Sequence, residues 1–191
     1  MINQTTDYPI HHTTVRLTYG DLTQIEADIL VSSDDSFLSM SSGVSAAIRR
    51  TGGETIQRSA RHYKQLQIGE IAITPAGNLS AKYVFHAVTI DATNLIFPNE
   101  ESIRLAMLNC LQQADSLSMK TIAFPVLGTG IAEFPFEQAA EVMIKTLSDY
   151  LMNQTQIELV TITLFARAGI ELSQLDLFYN RAIDLLTEIN S

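Results

Sequence analysis

Residues 29 to 48 read ILVSSDDSFLSMSSGVSAAI. A short apolar run, Ile29-Leu30-Val31, breaks into serines, two adjacent aspartates and one glycine, then restarts as an alanine-rich segment. A continuous apolar run of this length suits a strand buried on both faces, and the segment after Val44 has the composition of a helix. A strand handing over to a helix through a loop of small polar residues is the repeating unit of an α/β protein.

The same handover recurs on either side. Upstream, TVRLTY (14–19) alternates polar and apolar as a half-exposed strand does. Downstream, residues 44 to 63 predict one or two helices with a break at Gly52-Gly53, and Glu54 sits early in the second, where a carboxylate is favoured. IGEIAITPAG and KYVFHAVTI read as strands joined by the turn-forming GNLSA. Ile103, Ala106, Met107, Cys110, Leu111, Ala114 and Leu117 then recur at helical spacing. KTIAFPVL, a helix from Phe136 to Asn153, the strand IELVTITLFA and a last helix from Leu172 complete the series, with Asp91 to Glu100 left as a loop. Strands alternating with helices predict a three-layer α-β-α sandwich, its mixed, mostly parallel sheet covered on both faces. The expected division is an N-terminal arm, residues 1–13, and one domain, residues 14–191.

Composition narrows the function. Twelve Lys and Arg against 21 Asp and Glu give a net charge of -9, and no basic run exceeds Arg49-Arg50. A protein that neutralises many phosphates of a duplex would carry basic clusters, so nucleic acid is not an expected partner. Cys110 is the single cysteine and suits a reducing cytoplasm. No apolar run approaches the roughly 18 residues of a membrane span, so no membrane association is expected. No metal site is expected either, since zinc-spaced Cys and His are lacking; His11 and His12 belong to the arm.

In open α/β sheets the ligand lies beyond the carboxyl ends of the strands. Two segments fit that place: residues 32 to 43, and residues 128 to 135 after FPVL. Both are built of small residues and lead into a helix, so their backbone N–H groups can face a crevice unobstructed. Two such loops facing each other suit a diphosphate, although GTG after a strand is equally common as a plain tight turn.

Taken in order, YGDLTQIEADILV, the small-residue loop, GVSAAIRRTGG, IGEIAITPAGNLSAKYVFHAV and FPVLGTGIAEFP resemble a macrodomain, the ADP-ribose-binding module, from about Thr14 to Ile183. The resemblance implies that Asp21, in the GD pair after the first strand, bonds the adenine amino group with the Leu22 backbone close by. Where the family usually reads NAAN this chain reads Ser32-Ser33-Asp34-Asp35, so Asp35 falls on the asparagine that holds the distal ribose. A carboxylate accepts hydrogen bonds there but cannot donate one. The family's glycine run is reduced to Met40-Ser41-Ser42-Gly43, with Ser42, Gly43 and Val44 left to meet the diphosphate. Gly128, Thr129, Gly130 and Ile131 match the second phosphate-cradling segment. Ala132 replaces an aromatic that many hydrolytic members place beside the ribose, and Glu133, where glycine is usual, is expected to face solvent. His86 matches a structural position; Phe165 or Phe178 could stack on adenine, though a core role is expected for each.

Two functions follow from the resemblance. One is binding of ADP-ribose or a related NAD-derived nucleotide, free or as an ADP-ribosylated protein, with no cofactor. The other is an ADP-ribosyl hydrolase using Asp34 and Asp35 to activate water and to stabilise a cationic ribose. Against the second, Ser45 stands where hydrolytic members often carry an aspartate. A structural or interaction domain without ligand is a third reading.

Overall fold

A computed structural model of the protein describes residues 5–130, 133–166 and 169–190. Among these residues the strands β1 (Thr5–Ile10), β2 (Thr13–Tyr19), β3 (Ile29–Asp35), β4 (Ile71–Pro75), β5 (Tyr83–Ile90), β6 (Thr121–Pro125) and β7 (Leu159–Leu164) form one sheet. The helices are α1 (Gly43–Gly52), α2 (Glu54–Ala60), α3 (Glu100–Ser116), α4 (Phe136–Leu151) and α5 (Leu172–Ile189). The sheet order is β1-β2-β7-β6-β3-β5-β4; the five inner strands run parallel and the two edge strands are antiparallel.

The apolar run that opens β3 is buried on both faces because each face has its own core. Ile29 and Val31 pack with Ile103, Met107 and Cys110 of α3, in the larger core that also takes in α4 and α5. Leu30 points the other way, into a smaller core with Ile48 of α1 and Ile56 of α2. This is the expected sandwich. The smaller layer is held by a close backbone approach: at Gly77, where φ is +61°, a Cβ would lie 2.1 Å from the carbonyl oxygen of Gly52. Asn78 N–H donates to that same oxygen at 3.0 Å, tying the end of α1 to the β4–β5 turn.

The sequence reading makes residues 1–13 an arm; from Thr5 onward the structure shows a paired strand instead. Thr5–Ile10 pairs with β2 from Thr5↔Thr18 to Ile10↔Thr13. Ile10 is buried, Thr6 and Tyr8 are half-buried, and Arg16 donates twice to Asp7, at 2.8 and 2.7 Å. Pro9 is tolerated because an edge strand does not need every N–H. The segment from Asp91 also has a definite form. Asp91 and Ile96 exchange backbone hydrogen bonds, and the Asp91 carboxylate accepts from Thr93 N, Asn94 N and Asn94 Nδ2. Cys110 is fully buried, and that burial pushes its thiol well above the ordinary range. Among the described residues no helix is long and apolar enough to cross a membrane.

Opposite the loops that follow β3 and β6, Asp28 fastens three strands at their amino ends. Its Oδ2 accepts from Lys120 N (2.9 Å) and Thr121 N (3.1 Å), and its Oδ1 lies 2.8 Å from Lys82 Nζ. Burial works to raise its pKa, yet the Lys82 ammonium and the two N–H groups outweigh it and hold the carboxyl below its usual range. Stabilisation from such a group is complete above the ordinary carboxylate pKa, about 4, and is lost as pH falls through the lower folded value. Asp28→Ala is therefore expected to cost about 2 kcal/mol at neutral pH in urea denaturation. The difference should shrink below pH about 4, as the pH falls through the lower folded value.

Candidate functional site

All five parallel strands end at the same edge of the sheet, and a cavity of about 360 Å³ runs across those ends. Sheet order fixes what lies where along it. Asp21, just after β2, and Phe165, just after β7, mark one end. The start of α1 and the loop after β6 occupy the middle; Asp35 of β3 with Thr89 and Ile90 of β5 mark the other. With neighbouring strands about 4.8 Å apart, the distance from β2 to β5 is about 19 Å.

At the first end, Asp21 caps a short 3-10 turn, Leu22–Gln24: its Oδ1 accepts from Thr23 N and Thr23 Oγ1, both at 2.9 Å. The turn holds the carboxylate at the cavity and buries Leu22 in the smaller core. Phe178 is fully buried, in keeping with the expected core role. Phe165 is not: it is 46% exposed and forms part of the cavity wall, because β7 ends one residue before it.

The loop after β3 is held from below and from within. Leu38 and Met40 adopt left-handed backbone conformations, φ +52° and +49°, which cost a non-glycine residue of the order of 1 kcal/mol each. Both side chains are buried, in separate apolar clusters, and that anchorage offsets the cost. Asp35 Oδ1 accepts from Phe37 N (2.8 Å) and Ser39 N (3.4 Å), and its Oδ2 from Ser39 Oγ. Gln57 Nε2 donates to Ser39 O at 2.8 Å. Ser42 caps α1 by position but makes no side-chain cap, and Gly43 and Val44 at the start of the helix line the cavity wall. Ser45 is buried and its hydroxyl donates to Ser42 O at 2.9 Å.

The second loop owes its glycine to packing. Gly128 has φ +78°, and a Cβ there would come within 2.9 Å of Ile103 Cδ1. Thr129 is buried and bonds back to Val126 O (3.1 Å); Gly130 also lines the cavity. Glu133, φ +54°, is exposed and is not part of the cavity wall. Ile131 and Ala132 lie outside the described residues.

The two aspartates part company. Asp34 is buried, and its Oδ2 lies 2.9 Å from His86 Nδ1, whose Nε2 in turn lies 3.0 Å from Thr74 Oγ1. The chain of contacts crosses β3, β5 and β4 on the α1–α2 face. His86 is thus a satisfied structural residue, and Asp34 is its partner. A register irregularity between Asp34 and Asp35 interrupts the alternation there. Sequence reasoning missed this pairing because it depends on which strands are neighbours. It also missed Arg50, which lines the cavity from α1 with Gly43 and Ala47. Their four- and three-residue spacing puts them on one helix face and was open to inspection.

The family model of the macro domain matches residues 31–143, more than half of the chain. The protein belongs to the macrodomain family. A protein of Sulfurisphaera tokodaii is 35% identical over 156 residues, covering 80% of this chain and 84% of that one. The O-acetyl-ADP-ribose deacetylase of Salmonella typhimurium is 36% identical over 136 residues, 69% of this chain and 76% of the enzyme. Among solved structures, the Oceanobacillus iheyensis macrodomain with ADP superposes with a TM-score of 0.86 at 20% identity, over 97% of this chain and 98% of that one. The Trypanosoma brucei macrodomain in complex with ADP-ribose gives 0.76 at 19% identity, over 87% and 68%. At such identities the superpositions speak for the fold.

Removing the imidazole would leave the Asp34 carboxyl buried without that partner. His86→Leu is expected to lower stability by about 2–3 kcal/mol, measured by urea denaturation.

Proposed function

We propose that the protein binds ADP-ribose or a related NAD-derived nucleotide in this cavity. The observation that carries the reading is the layout along the strand ends: a carboxylate at either end, with small-residue backbone loops between. Adenine is placed at Asp21 and the Leu22 backbone, where a carboxylate can accept from the amino group and exposed Phe165 offers a ring face. The diphosphate is assigned to Ser42, Gly43 and Val44 at the start of α1 and to the loop at Gly128, Thr129, Gly130, Ile131 and Ala132. The distal ribose is assigned to Asp35. The family membership and the ADP-ribose and ADP complexes of proteins with this fold support the reading. A cytoplasmic setting, with its reducing conditions, is part of it.

The 36% identity to a deacetylase of O-acetyl-ADP-ribose favours a second reading, hydrolysis of an ADP-ribosyl or acyl bond. The geometry supports it less. Asp34 is paired with His86, both Asp35 oxygens hold the loop, and the Ser45 hydroxyl is engaged by Ser42.

Stability in the presence of ADP-ribose tests binding. At ligand a hundredfold above its dissociation constant the unfolding free energy should rise by about 2.7 kcal/mol. Asp21→Ala should weaken ADP-ribose about tenfold in calorimetric titration. An unchanged affinity would remove Asp21 from the adenine site.

A further inference from the structure

We propose that Phe37, Leu95, Ile96 and Phe97 form a docking surface for a polypeptide that carries the nucleotide: a chain joined to the distal ribose, with apolar side chains flanking the linkage. This rests on the nucleotide reading above and adds to it the class of carrier.

The four side chains stand outside the cavity, on loops that begin or end in its wall. Asp35 lines the cavity, and Phe37 N–H donates to Asp35 Oδ1 at 2.8 Å. Leu95, Ile96 and Phe97 lie between Ile90 and the buried Pro98, both of which line the cavity. The two loops are joined. Ser36 N–H donates to Ile90 O (2.9 Å), and Ser36 Oγ accepts from Ala92 N (3.2 Å). With the distal ribose assigned to Asp35, a chain attached to that ribose leaves the cavity beside these loops.

The second loop is held in a form that turns apolar residues outward. Leu95 has φ +52°, a left-handed conformation that side chains disfavour. Burial offsets that strain at Leu38 and Met40, but Leu95 is 74% exposed. Its conformation is imposed by polar contacts instead. Asp91 and Ile96 exchange backbone hydrogen bonds, and the Asp91 carboxylate accepts from Thr93 N, Asn94 N and Asn94 Nδ2. Gln65 Nε2 donates to Thr93 Oγ1 at 2.7 Å. Strain kept without a packing gain points to function, and a loop tied in advance lowers the ordering cost of binding.

Area selects the occupant. Phe37, Leu95, Ile96 and Phe97 are 56%, 74%, 44% and 57% exposed. Together they present about 400 Å², at roughly 180 Å² for a fully exposed large apolar side chain. That is the size of a functional patch on a monomer. It is also about half of the ~800 Å² per partner that a stable interface buries. The patch alone is therefore too small to hold a second copy of this chain, and it suits a partner already anchored beside it. The cavity provides that anchor when the nucleotide is attached to a polypeptide. Once the nucleotide is seated, the flanking residues meet the patch at high effective concentration, and a few apolar contacts suffice.

The test is calorimetric titration of the full chain with free ADP-ribose and with two synthetic peptides bearing ADP-ribose through a non-hydrolysable linkage at the distal ribose. One peptide flanks the linkage with Leu and Phe, the other with Ser and Gly. The apolar-flanked peptide should bind about tenfold tighter than the polar-flanked one and than ADP-ribose itself. Leu95→Ser and Phe97→Ser should each reduce that preference and leave the affinity for free ADP-ribose unchanged. Equal binding of both peptides overturns the inference and leaves the nucleotide reading in place, as does a wild-type preference in both variants. A concentration-dependent dimer that Phe97→Ser dissolves, seen by sedimentation, assigns the patch to a second copy and also overturns it. Failure of free ADP-ribose and both peptides to bind overturns the nucleotide reading as well.

Discussion

The constraint on which the rest depends is that β3 is covered on both faces, with only Ser33 and Asp35, at its cavity end, half-buried. Its first three residues meet that condition with hydrocarbon. From Ser32 onward the strand is polar, and the polar atoms buried there need partners in neighbouring elements. Ser33 finds Thr89, Asp34 finds His86, and Asp35 finds the backbone of its own loop. Among the described residues these pairings leave Ser32 Oγ and Asp34 Oδ1 buried without a partner. The site is thus where a buried strand runs out of apolar residues before it runs out of sheet.

The division of labour between the two aspartates follows. Asp35 acts on the loop, which carries two left-handed non-glycine residues, Leu38 and Met40, and closes onto the start of α1. Asp34 acts across the sheet, linking β3 to β5 and β4 through His86 and Thr74. A residue needed to shape a site and a residue needed to contact a ligand can be adjacent in the chain and yet face separate demands. Gly128 gives the same lesson in reverse, since its missing side chain is explained by Ile103 beneath it.

Much of this was legible in the sequence, for identifiable reasons. The inner strands are short apolar runs, and the helix break at Gly52-Gly53 and the helix starts at Phe136 and Leu172 carry local signals that survive in the fold. The small-residue loops were placed correctly at the strand ends because parallel sheets leave them nowhere else. Edge strand β1 was illegible because its polar half faces solvent and only its pairing with β2 makes it a strand. Phe165 was misread because one residue at a strand end separates core from cavity. The Asp34–His86 contact was hidden because β3 and β5 are neighbours in space and 52 residues apart in the chain.

The burial of Cys110 has a practical side. As the single cysteine of the chain, sealed in the larger core with its thiol pushed toward the unreactive protonated form, it leaves the surface chemically silent toward thiol reagents. A cysteine introduced at exposed Leu95 would then be the one position to take a fluorophore or spin label. The loop that follows β5 could be watched directly in otherwise unaltered protein.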